Sequence, residues 1–215
     1  MSDFPVTDPT EPLAVGAADD PTVQAALRRS DRYLQEFIEQ LSICPYAKQC
    51  REQGRLYRGV FLQVQPSPQA VANFLLSLDP ERLYEIGLLL FPNFAGEGKV
   101  GESHPFERFV SDVRNQYGKL RKPPAFFIVA FHPQMPSNLS NPDVAVRFMR
   151  RSPDPTIQLV RPEVIDAVRN PHHNRDELST TIAEMGLRTV RSHGVEKITD
   201  ALANIHQHER PVDKL

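Results

Sequence analysis

Two uninterrupted apolar runs, Ile86–Phe91 and Ala125–Phe131, set the fold class of this chain. Each is far shorter than the roughly 20 residues needed to cross a bilayer. Neither alternates with polar residues, which is the pattern of a strand covered on both faces. The first extends back to Tyr84, giving expected strands at Tyr84–Phe91 and Ala125–Phe131. Two weaker candidates join them: Tyr57–Val64, which alternates in part, and Thr156–Arg161, which is short and mixed.

Helical patterns separate the strands. Asp20-Pro21 caps a helix on which Val23, Leu27, Leu34, Phe37, Ile38 and Leu41 recur at helical spacing, ending near Ile43. Ser67-Pro68, His104-Pro105 and Asn141-Pro142-Asp143 open three more. The spacing further predicts helices over about Glu177–Arg191 and Val195–His208, with Gly194 between them. Strands alternating with helices give an α/β layer structure: one domain over residues 20–208 with a four-stranded parallel or mixed sheet covered by helices. Residues 1–19, rich in Pro, Asp, Thr and Ala without periodicity, read as a disordered tail, and 209–215 as a frayed end. The 20 prolines among 215 residues, against a usual share of about 5%, fall at helix starts, strand ends and the tails.

Charge excludes some partners. The net charge is −2, and Lys and Arg are dispersed rather than clustered, so no nucleic-acid surface is expected. No membrane segment is expected, and the N-terminus lacks the basic and apolar regions of a secretory signal. A cytoplasmic location follows as the expectation.

Cys44-Pro45-Tyr46-Ala47 is the stretch richest in possible chemistry. Pro suits the first position of a helix, so Cys44 reads as the cap of a helix starting at Pro45. The positive end of the dipole would stabilise a thiolate there, which makes Cys44 a candidate nucleophile or metal ligand; the alternative is a small buried apolar residue. Cys50 lies six residues on, about 600° around the helix, hence on a different face. Cys-x5-Cys matches no zinc pattern.

Polar residues gather where strands end. Asn93 follows the second strand, His132 the third and Arg161 the fourth. Parallel strands would bring all three to the carboxyl edge, where α/β sheets bind ligands; antiparallel neighbours would scatter them. His132 is a candidate base for Cys44. Arg151 and Arg161 are candidate anion holders around the stiff loop Ser152-Pro153-Asp154-Pro155, with Ser152 capping or orienting it. Gly96-Glu97-Gly98-Lys99-Val100-Gly101 matches no phosphate-loop pattern and reads as a surface loop. Pro171-His172-His173-Asn174 lacks further ligands at convincing spacing.

Cys44-Pro45-Tyr46-Ala47, Phe131-His132-Pro133 and Arg151-Ser152-Pro153-Asp154-Pro155, running into a strand that ends at Arg161, occur in that order. The ordered trio resembles an uncharacterised bacterial family, domain of unknown function fourteen-fifteen, over roughly residues 25–190. That family carries Cys-Pro-Phe-Ala, Phe-His-Pro and Arg-Ser-Pro-x-Pro motifs. The resemblance implies that Cys44, His132, Arg151 and Arg161 belong to one site, and it supplies no reaction. This chain departs from the family pattern at Gln158, usually His, at Pro162, usually acidic, and mildly at Tyr46.

The expected function is a small cysteine-dependent enzyme acting on a small anionic molecule. Cys44 would be nucleophile and His132 base, with Arg151, Arg161, Ser152 and Asn93 binding substrate. No cofactor is required. The alternatives are a haem- or metal-binding module using Cys44 and His132, and a non-catalytic interaction protein.

Overall fold

A computed structural model describes residues 13–78, 83–95, 103–136, 147–164 and 192–207. The expected helix at Asn141-Pro142-Asp143, the helix over Glu177–Arg191, the glycine loop and the His172-His173 tract lie outside them, apart from a short helical stub at 147–148. Four strands form one sheet: β1 (Leu56–Val60), β2 (Ile86–Leu90), β3 (Phe127–Phe131) and β4 (Thr156–Val160), in spatial order β1-β2-β4-β3. β1 and β2 are parallel, and β4 is antiparallel to both β2 and β3. The sheet is therefore mixed, with three strands running one way and β4 the other.

Five described helices accompany it: α1 (Pro21–Arg32), α2 (Pro45–Glu52), α3 (Pro68–Ser77), α4 (His104–Leu120) and α5 (Val195–Gln207). Their starts follow the proline signals. Asp20 accepts from the amides of Thr22 (2.7 Å) and Val23 (3.3 Å), and Ser67 accepts from that of Ala70. The first helix does not run to Ile43 as one α-helix. It widens into a π-helix over Tyr33–Glu39 and ends in a turn where Ser42 has φ +52°. The widening leaves Tyr33, Leu34, Phe37 and Ile38 buried together.

The two faces of the sheet are filled differently. Leu89, Ile128, Ala130, Ile157 and Leu159 point to one face, where α3 and α4 cover them with Val71, Leu75, Val110 and Val113 and the rings of Phe61, Phe91, Phe106 and Phe109. This is the main core. On the other face, Val23 and Ala26 of α1 and Leu34 of the π-helix seal the β1 side against Val60, Leu88 and Leu90. An Arg58–Asp31 ion pair adds to this seal. The π-helix, α2 and α5 pack together further along.

Two expectations change here. All five β2 residues are buried, as a run covered on both faces requires, but β3 is an edge strand and Phe127 is 46% exposed. The apolar run of β3 arises because one face meets α4 and the other lines a cavity. Residues 13–19, expected within the disordered N-terminal tail, also contact the fold. Leu13 packs on the core, and the Gly16 amide donates to Val60 O at 2.7 Å. A side chain at position 16 would meet Val23, so only glycine allows this approach.

Candidate functional site

The second face of the sheet encloses a cavity of about 270 Å³. Its floor is three rows of side chains fixed by strand register: Leu90, Thr156 and Phe131; Leu88, Gln158 and Val129; Ile86, Val160 and Phe127. Its roof comes from Tyr33, Leu34 and Ile38, with Ile43, Cys44 and Ala47 beside them. Met149, Arg150 and Ser152 line the end of the cavity next to the start of β4, which we call its rim. The walls are overwhelmingly apolar, so each polar group among them is conspicuous.

Several of these polar groups are already engaged. The Tyr33 hydroxyl donates to Met149 O at 2.6 Å, and burial pushes its pKa up. Ser152 Oγ and Thr156 Oγ1 both donate to Asp154 O, at 2.6 and 2.8 Å, so they offer the cavity only lone pairs. The hydroxyls of Ser30 and Tyr46, the Arg150 guanidinium and the Gln158 amide form no side-chain hydrogen bond or ion pair with a described residue. Burial lowers the pKa of Arg150, and nearby Arg147 and Arg114 lower it further. Glu107 and Tyr33 offset these effects in part, and a guanidinium keeps its charge through such a shift, so Arg150 is a cation at an apolar cavity without an ion pair to a described residue.

Cys44 occupies the predicted position, the N-cap of α2 with extended backbone. The amides of Tyr46 and Ala47 face its thiol without completing a cap hydrogen bond, and they favour the thiolate. Burial outweighs them, and the net effect raises the thiol pKa. The expected depression is therefore reversed. The helix-end field acts on a thiol packed against the apolar cluster that includes Tyr33, Phe37, Ile38 and Met149, where desolvation is the larger effect.

The other predicted residues disperse. His132 is 8% exposed, and its ring lies against Phe106 on the α4 side, opposite the cavity. Its Nδ1 accepts from the Gln134 amide at 3.1 Å, which puts the proton of the neutral ring on Nε2. Burial lowers its pKa to about 4. A Cys44–His132 couple is thus not assembled, because alternation along β3 turns His132 to the face away from Phe131 and Val129. The same separation denies one metal or haem both ligands. No group of three or more His, Cys, Asp or Glu residues among the described residues is arranged to hold a metal ion.

Arg161 is displaced further. β4 is antiparallel, so its end lies at the opposite edge of the sheet from His132 and Ser152. Arg161 Nε donates to Tyr84 O at 2.7 Å, and its guanidinium covers the Phe126 ring at 4.6 Å. It is 4% exposed. Arg151 stays near the rim, but its Nε donates to Met135 O at 2.9 Å and its guanidinium stacks on Phe148. Asn93 is exposed and donates to Leu62 O at 3.2 Å. Cys50 is buried, donates to Glu85 at 3.2 Å and has its pKa raised to about 12.

Of the six predicted residues, Cys44 and Ser152 line the cavity. Arg150 and Gln158 were missed. Arg150 was hidden because it reads as a helix-end cation beside Arg151. Gln158 had a usable signal, since Thr156, Gln158 and Val160 share one face of a strand at period two.

The model of a family described as "Protein of unknown function (DUF1415)" matches residues 25–200. No curated protein and no solved structure matches the chain.

Proposed function

We propose, for a chain that belongs to the DUF1415 family of proteins of unknown function, that it binds an apolar small molecule with one anionic end in the cavity beneath the π-helix. The carrying observation is Arg150, a desolvated guanidinium without a carboxylate partner among the described residues, at the rim of an apolar chamber. A carboxylate or similar anion would complete its fork of donors while the body of the ligand covers Leu88, Val129 and Ile38. Calorimetric titration with decanoate and with decanol tests this. Decanoate is expected to bind at least tenfold more tightly, and Arg150→Met to abolish that preference. Equal binding of acid and alcohol by the unaltered protein would refute the reading.

One observation favours a second reading in which the ligand is also a substrate. Cys44 lines the same cavity, and the Tyr46 and Ala47 amides would face a thiolate or an oxyanion formed beside it. In that reading Cys44 is the nucleophile of a cysteine-dependent enzyme, with Arg150 replacing Arg151 and Arg161 as anion holder and His132 taking no part. Both cysteines are free thiols, which suits the reducing cytoplasm. Loss of turnover in Cys44→Ser with ligand binding retained would support catalysis over binding alone.

A further inference from the structure

The middle of the cavity floor carries a polar group that a plain apolar acid would leave stranded. Gln158 lies between Leu88 on β2 and Val129 on β3, and all three side chains face the cavity. Its amide has two N–H donors and a carbonyl acceptor, none of them hydrogen-bonded to a described residue. The flanking rows give it nothing. Ile86, Val160 and Phe127 are apolar, and the Thr156 hydroxyl proton is held by Asp154 O. An alkyl chain laid across this row would remove solvent from the amide and return no hydrogen bond.

We infer that the ligand is a functionalised acid: an apolar carboxylate with a hydroxyl, keto or amide group part-way along its body, paired with Gln158. This rests on the cavity reading above and refines it. Arg150 at the rim orders the ligand end to end. Gln158, in the middle row of the floor, selects for the internal polar group. A strand rises about 3.4 Å per residue, so Gln158 lies about 7 Å beyond Thr156 along β4. The second polar group therefore sits in the body of the ligand, well away from its carboxylate. Selectivity of this kind is strong because a site built around a hydrogen bond penalises the analogue that lacks the group.

The full chain would be titrated calorimetrically with decanoate, a mid-chain keto derivative of decanoate, and decanol. The keto acid is expected to bind at least tenfold more tightly than decanoate. Gln158→Leu is expected to erase or invert that preference while keeping the acid-over-alcohol preference. Gln158→Met, unbranched and close in volume, repeats the comparison if the leucine variant folds poorly. Equal affinity of the unaltered protein for decanoate and its keto derivative would overturn this inference and leave the cavity reading intact. So would a keto preference that survives in both variants. Failure of every acid to outbind decanol would instead overturn the cavity reading itself.

Discussion

Cys44 and His132 face opposite sides of one sheet, Cys44 into the cavity roofed by the π-helix and His132 against Phe106 of α4. Two residues that sequence order pairs as nucleophile and base are thereby kept apart by strand alternation. The chemistry available to each follows from its own surroundings.

The Cys44 thiol should titrate above the usual value of about 8.5, because desolvation outweighs the two helix-end amides. The pH dependence of its iodoacetamide alkylation measures this. His132→Ala should leave the midpoint unmoved. A midpoint below the usual value, or one that shifts in the His132 variant, would show that the couple forms after all.

His132 should stay neutral down to about pH 4, against about 6.5 for an unfolded imidazole. A base with a depressed folded pKa contributes stability that is complete above the unfolded value and is lost as pH falls through the folded one. The protein should therefore lose up to about 2 kcal/mol from this group between pH 7 and pH 5. Imidazole proton shifts in NMR give the pKa directly, and urea midpoints at the two pH values give the stability. A His132→Gln variant should show a smaller loss.

Arg161→Met should destabilise the fold by about 3 kcal/mol, since it removes part-buried, charge-assisted hydrogen bonds to the Tyr84 and Leu78 carbonyls and the contact with Phe126. Decanoate affinity of the folded protein should not change. Weakened affinity in a variant that remains fully folded would return Arg161 to the site.

Asp154 and Arg29 form a two-pronged ion pair, at 3.0 and 2.9 Å, that ties the rim loop to α1. Their side chains are 9% and 17% exposed, so the pair is only partly screened by water. Asp154→Asn should cost about 2 kcal/mol, less than a fully buried pair would. A double-mutant cycle with Arg29→Met should return a coupling of about 1 kcal/mol or more. Additive effects would mean that the pair contributes nothing to holding the rim.

The sequence by itself determined where most of the described elements lie. Proline steps at Pro21, Pro45, Pro68 and Pro105 mark helix starts because proline's missing N–H costs nothing in a first turn. The unbroken run at β2 marks a central strand because both its faces are covered. It also placed Cys44 correctly at a helix cap. These are local properties, set by backbone sterics and periodicity.

Only the tertiary structure decided the site. The direction of β4 was not encoded in its five residues, and that direction alone sends Arg161 to the far edge. Whether β3 turned His132 or Phe131 toward Cys44 depended on which face each helix came to cover. Whether the dipole or desolvation governed the Cys44 thiol depended on packing against a cluster of residues distant in sequence, Met149 and Ile198 among them. Gln158 stood out in the sequence only as a departure from a family pattern, and neither it nor Arg150 read as a site residue until the cavity around them had formed. Functional convergence is a long-range property: it rests on pairings and burial that no local window of residues contains.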